Sequence, residues 1–245
     1  MAQPPAGRAI TLDALGTLVE LADPVPRLVA ALAARGLAVS AAQARAALAE
    51  EIAFYRAEHD AGVDAASLAR LRERCAAVLR AGLERAGADT SAVAAPEMVE
   101  ALLGALRFVP FPEVPGALAE LRAAGHRLVV VSNWDVSLHD MLRTTGLAVL
   151  VDGAISSAEA GARKPAPAIF RRALALADAA APPAARRRDG SRPALHAGDS
   201  VQFDVAGARA AGLEAVLIAR AGPPDDVPAD VTVLTSLDGL LGLAS

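Results

Sequence analysis

Lys164 is the one lysine of this chain; every other member of its 24 Lys and Arg residues is arginine. An ammonium is a compact, rotatable point charge and a guanidinium a planar fork, so the two do not substitute for each other in a tight anionic pocket. Lys164 lies in Ala162-Arg163-Lys164-Pro165-Ala166-Pro167, where two prolines restrict the backbone just ahead of a helix expected to begin near Ala168. An ammonium presented so rigidly calls for an anion to hold. Other groups with chemical potential each follow a short apolar run. Asp13 follows Ala9-Ile10-Thr11-Leu12 and opens Asp13-Ala14-Leu15-Gly16-Thr17-Leu18, and Ser132-Asn133-Trp134-Asp135 follows Leu128–Val131. Asp199 and Asp204 stand in Gly198-Asp199-Ser200-Val201-Gln202-Phe203-Asp204. Carboxylates of this kind serve as nucleophiles or as ligands of hard cations. Each alone is a weak signal, because Asp or Ser after a strand is often only a helix cap.

The elements that must position these residues can be read from periodicity. A first strand over Ala9–Leu12 is followed, from about Pro24 to Leu106, by a wholly helical pattern. Ser40 with Gln43 predicts a capping-box start for a helix running to about His59, a second helix fills Ala65 to Ala86, and Pro96 opens a third that reaches Leu106. Pro110, Pro112 and Pro115 mark a boundary. Beyond it, apolar strands alternate with helical stretches, at Leu128–Val131, Gly153–Ser156, Ala194–Ala197, Ala215–Ala219 and Val231–Leu234. This alternation specifies an α/β fold: a three-layer, doubly wound, Rossmann-like parallel sheet covered on both faces. The expected division is an α/β core of residues 1–22 and 108–245, with an all-helical insert of 23–107. In such sheets ligands bind at the carboxyl ends of the strands, which would bring the lysine, the Ser/Asn pair and the three carboxylates to one edge.

Composition excludes several classes. The chain of 245 residues is 54% hydrophobic and 21% charged, which is globular composition, and its net charge of −4 argues against a nucleic-acid partner. No apolar run reaches the roughly 18 residues that a membrane span needs. The start, Met1 to Arg8, has no apolar stretch of the signal-peptide kind, so the expected location is the cytoplasm. The single Cys75 predicts a buried, inert thiol. The arginine-rich stretch between Ala181 and Pro193 reads as a solvated loop.

The order of these motifs resembles the haloacid dehalogenase-like hydrolase superfamily along nearly the whole chain, with the helical insert at the position of that family's cap. The resemblance implies that Asp13 is the nucleophile, forming a covalent aspartyl intermediate. It implies that Ser132 and the backbone amide of Asn133 hold the transferring group, and that Lys164 neutralises phosphate and nucleophile. Mg²⁺ would be bound by Asp13, the Leu15 carbonyl and Asp199, with Asp204 in support. The physics is consistent: carboxylates facing a phosphate dianion repel it unless a hard cation and a lysine offset the charge. Thr17 and Trp134 join the expected substrate-binding set, as do Tyr55 and Arg56 of the insert, where Glu51, Glu58 and His59 lie nearby.

One position departs from the pattern. Phosphatases of the superfamily carry a second Asp two residues after the nucleophile; here it is Leu15. General acid–base help of that kind contributes on the order of 10²–10⁴ in rate. Three readings stay open: an Mg²⁺-dependent phosphatase of a small phosphorylated metabolite, in which another group supplies the proton or the leaving group needs none, a 2-haloacid dehalogenase acting on a halogenated substrate, and a non-catalytic phosphate-ligand binder. Phosphonate cleavage through a Schiff base is set aside, because it needs a lysine in the insert.

Overall fold

The structure, a computed structural model, describes residues 7–180 and 193–244. The arginine-rich stretch read as a loop falls at 181–192, outside the described residues. The chain divides into two compact units, Met1–Glu20 with Pro110–Ser245, and Leu21–Val109. The sequence put the junctions after residues 22 and 107. Both connecting segments are themselves short strands, β2 Val19–Ala22 and β3 Arg107–Pro110, which pair with each other. Neither is a plain apolar run: Glu20 interrupts β2, Arg107 and Pro110 bound β3, and both are largely outside the buried core, so nothing in the sequence marks them as strands.

The helical unit is built from α1 Pro24–Ala33, α2 Ala41–Glu58, α3 Ala65–Arg85 and α4 Ala95–Ala105. Their starts are locally encoded. Ser40 Oγ accepts the Gln43 N–H at 3.2 Å and the Gln43 side chain accepts the Ser40 N–H at 2.9 Å, satisfying two of the donors that a helix start leaves open. Asp64 and Ser67 form the same reciprocal cap on α3. Leu28, Leu32, Leu48, Leu71, Leu79, Leu83, Met98 and Leu102 fill the interior.

The α/β unit contains β1 Ala9–Leu12, α5 Val114–Ala123, β4 Arg127–Ser132, α6 Leu138–Thr144, β5 Gly153–Ser156, α7 Ser157–Ala160 and α8 Pro167–Ala180. It continues through β6 Leu195–Gly198, α9 Ala206–Ala210, β7 Glu214–Ile218, β8 Thr232–Leu234 and α10 Leu240–Ala244. Six strands form one parallel sheet in the order β5-β4-β1-β6-β7-β8, the expected three-layer Rossmann-like architecture. Every residue of β1, β4 and β6 is buried, as parallel strands covered on both faces require. Val129 and Val131 pack against Ile169, Phe170 and Ala173 of α8. Successive strands step away from β1 in opposite directions, so the central trio β4-β1-β6 flanks the crevice where such sheets bind ligands. Among the described residues no helix is long and apolar enough to cross a membrane.

Candidate active site

Asp13 is the first residue after β1, and its N–H donates to Ala197 O of β6 at 2.9 Å. That bond places the carboxylate over the middle of the central trio. Ser132, the last residue of β4, donates from Oγ to Asp13 Oδ1 at 3.1 Å. Lys164, in the turn between α7 and α8, donates from Nζ to Asp13 Oδ1 at 2.5 Å and to Asp204 Oδ1 at 2.6 Å. Asp199 follows β6, and ligating oxygens of Asp13, Asp199 and Asp204 lie within 4.8 Å of one another. Residues 151 positions apart in sequence are thus in direct contact, because parallel strands deliver all their carboxyl ends to one edge.

Burial would lower the Lys164 ammonium, but Asp13 and Asp204 outweigh it and hold the group above its ordinary value, so it stays charged. Burial likewise opposes ionisation of Asp204; Lys164 and His196 reverse this and hold the carboxyl below its usual range. Asp13 goes the other way: loss of solvation, with the Asp204 charge added, outweighs Lys164 and raises it. Asp199 is open to solvent at the rim. Partial desolvation, then the charges of Asp13 and Asp204, push its carboxyl up to about 7. The cluster is three carboxylates against one ammonium, and among the described residues no basic side chain pairs with Asp199. A divalent, oxygen-seeking cation matches that excess charge and donor set, so the residues fit Mg²⁺.

Several sequence expectations change in detail. Asp204, expected among the metal-binding groups, is already engaged: Oδ1 takes Lys164 and His196, and Oδ2 accepts the Ser200 N–H at 3.0 Å. Its carboxylate presses so closely on Gly198 that a Cβ there would lie 2.2 Å from Asp204 Cγ. Thr17, expected to bind substrate, is fully buried and points its hydroxyl back at Asp13 Oδ2, 3.4 Å away. Trp134, also expected to bind substrate, is instead buried; its indole N–H donates to Ser137 and its backbone bonds Ser157. Leu15 exposes its side chain, and no acid replaces it on the loop. In the helical unit, Arg56 is exposed and Tyr55 is half-buried with its ring 5.8 Å from that of His59. Glu51 and His59 are buried, and Glu58 pairs with Arg74 at 2.8 Å.

Three roles escaped the sequence reading. The Asn133 side chain clasps the Lys164 backbone in both directions: Oδ1 accepts the Lys164 N–H at 2.7 Å and Nδ2 donates to Lys164 O at 3.1 Å. His196, expected as a packed core histidine, is indeed fully buried, yet its Nε2 lies 3.0 Å from Asp204 Oδ1 and its Nδ1 2.9 Å from Thr11 Oγ1. A carboxylate can only accept, so Nε2 carries the hydrogen. Asn-after-Ser and a histidine three residues before Asp199 were the available signals, but neither names its partner. The third, Arg220, carried no motif.

Comparison with known proteins matches residues 8–212 to the haloacid dehalogenase-like hydrolase family. The bovine (Bos taurus) haloacid dehalogenase-like hydrolase domain-containing protein 3 is 40% identical over 120 residues, covering 47% of this chain and 43% of the relative. A phosphoserine phosphatase of Thermus thermophilus is 36% identical over 157 residues, 63% of this chain and 57% of that protein. The chain thus spans about half the length of the curated relatives it matches. Among solved structures, a 2-haloacid dehalogenase from Pseudomonas syringae pv. Tomato DC3000 superposes with a TM-score of 0.63 at 26% identity, covering 96% of this chain and 97% of that one.

Proposed function

This chain belongs to the haloacid dehalogenase-like hydrolases, and from that premise we propose that it is an Mg²⁺-dependent phosphatase of small phosphorylated metabolites, restricted to those with good leaving groups. The observation that carries the reading is the uncompensated charge of Asp13, Asp199 and Asp204 around Lys164. Asp13, Asp199 and the Leu15 carbonyl would hold the ion, with Asp204 in support. When bound, Mg²⁺ supplies charge neutralisation at the phosphoryl oxygens.

The remaining steps belong to the chain itself. Lys164 and Ser132 both donate to Asp13 Oδ1, which orients the carboxylate and leaves Oδ2, the partner of Thr17, as its other face. An Asp13 oxygen attacks phosphorus in line; the P–O bond to the leaving group breaks, and an aspartyl phosphate forms. Water then attacks that phosphorus, returning the carboxylate and releasing phosphate. Lys164, buried and permanently charged, offsets negative charge through both steps. Leu15 cannot protonate the departing oxygen, so the leaving group must be stable as an anion, as in acyl and aryl phosphates.

The test is phosphate release with Mg²⁺ from acetyl phosphate, an aryl phosphate, and sugar and nucleotide monophosphates. Acyl and aryl substrates are expected to exceed alkyl esters by about 10²-fold or more, and Asp13→Asn to abolish release. Equal rates on alkyl esters would remove the leaving-group restriction, and no release above Asp13→Asn would remove the phosphatase reading. The second reading is a 2-haloacid dehalogenase, favoured by the apolar, exposed Leu15, since halide departs without a proton. Metal-independent halide release from 2-chloropropionate would establish it.

A further inference from the structure

We propose that Arg220 is a positioning residue for the reaction: its guanidinium sets the shape of the Asp13–Thr17 loop, which carries the nucleophile. Arg220 follows β7 at the same sheet edge as Asp13 and Asp199. Its Nε donates to Gly16 O at 3.2 Å and its Nη2 to Thr17 O at 2.6 Å. Nη1 pairs with Glu113 at 2.7 Å, and the guanidinium lies 3.5 Å from the centroid of the Phe111 ring. Both members of the ion pair are largely enclosed, with side chains 18% and 17% exposed. Glu113 also accepts the Leu237 N–H, and Phe111 donates its N–H to Leu18 O. One side chain therefore ties the loop to two other segments of the α/β unit.

The geometry uses what distinguishes arginine from lysine. Three donors of a rigid fork reach three acceptors in different directions while the flat face stacks on an aromatic ring. An ammonium could satisfy one or two of these, without the stacking.

The loop has little room to drift without consequence at the site. Gly16 adopts φ +86°, and a Cβ there would lie 2.0 Å from Asp199 Oδ2. Moving the Gly16 carbonyl therefore moves the wall against which Asp199 rests. Thr17, whose carbonyl Arg220 holds, has its hydroxyl 3.4 Å from Asp13 Oδ2. Arg220 contacts carbonyls, a carboxylate and a ring, so it acts through Asp13 and Asp199 and not on substrate.

The experiment has two arms. Hydrogen exchange of the Gly16, Leu18 and Val19 amides, which close the loop on Val19 O and Ala14 O, is measured in Arg220→Ala and Arg220→Lys. Arg209→Ala, which breaks the Arg209–Asp230 surface pair, is the control. We expect those amides to exchange about tenfold faster in both Arg220 variants, with peptides of β4 and α8 unchanged. The kinetic arm rests on the proposed phosphatase reading: kcat on acetyl phosphate falls 10- to 100-fold, KM changes little, and the Mg²⁺ concentration for half-saturation rises. Lysine is expected to rescue little. Unchanged exchange at these three amides overturns the proposal, as does a uniform acceleration across β4 and α8, which marks a general fold clamp. An inactive wild type would sink the phosphatase reading, while the exchange arm still decides the role of Arg220.

Discussion

Two buried carboxyls, one in each unit, have opposite company. Asp13 in the α/β unit is 5% exposed and Glu51 in the helical unit is 3% exposed. Asp13 touches Lys164 and Ser132 and shares its surroundings with Asp199 and Asp204. Glu51 sits in an alanine- and leucine-rich interior; burial raises its carboxyl, opposed only by a hydrogen bond to Cys75. Burial penalises the ionised form in both. In the α/β unit the carboxyls gather around a charged Lys164 and Asp204 is held ionised, although burial still raises Asp13. In the helical unit the same penalty acts on Glu51 with no ion pair among the described residues, and its carboxyl is raised.

The largest way to break the contrast is to remove the ammonium at the centre of the carboxylate cluster. Lys164→Met removes the charge between Asp13 and Asp204, leaving Asp13 with Ser132 and Thr17 and Asp204 with His196 and the Ser200 N–H. Breaking a buried pair from one side costs about 3–5 kcal/mol, so a urea melt should show a loss of that order. Phosphate release should fall to the level of Asp13→Asn. Retained activity would refute the central role given to Lys164.

A smaller and opposite effect is expected at Asp199. Asp199→Asn relieves repulsion at a group open to solvent, and the metal-free protein should gain about 1 kcal/mol at pH 8 after allowing for screening, or about 2–4 °C in Tm. The same variant should lose Mg²⁺ affinity. The pH dependence shares this origin. With a folded carboxyl near 7 against an ordinary value of 3.8, the native state keeps a proton that the unfolded chain has released. Stability of the metal-free protein therefore declines as pH rises from about 4 to about 7. Asp13, also raised, adds in the same direction; Asp204, held low, acts below that window. Saturating Mg²⁺ should flatten the decline, and a Tm series with and without the ion reads it directly. A slope of opposite sign would contradict the assigned charge balance.

The smallest effect is expected at Glu51. Glu51→Gln removes a carboxyl that burial already favours in neutral form, so stability near pH 7 should change by less than about 1 kcal/mol and kcat should be unaffected. A large loss of activity would instead make Glu51 a working acid and erase the contrast between the units.

Much of this arrangement was legible residue by residue. Ser40 with Gln43 announced the start of α2, because a capping box is closed by neighbours in sequence. Asp13, Ser132 and Asp199 were legible because each closes or follows an apolar run, and a parallel sheet sends all such positions to one edge; Lys164 was legible as the one lysine, set just ahead of two prolines. Leu15 was legible as a missing acid because the loop around it is contiguous. The strands β2 and β3 were not, because Glu20, Arg107 and Pro110 break their apolar pattern and most of their residues are not buried. Nor was the burial of Trp134: Ser137 lies three residues on, but Ser157 of α7 meets it only in the folded unit.

The sequence alone therefore determined the inventory and its order: an alternating α/β core, a helical insert, and an aspartate, a hydroxyl, a lysine and two further carboxylates along one sheet edge. Tertiary structure decided the partners. That β1 lies between β4 and β6 is what brings Ser132 and the residues after β6 beside Asp13, where Lys164 meets both Asp13 and Asp204. Asn133 clasping Lys164 and Arg220 gripping Gly16 and Thr17 join residues 31 and more than 200 positions apart. Periodicity reports which way a side chain faces along its own strand; which strand lies beside it is settled only when the sheet closes its order, and the chemistry of this site depends on that neighbour.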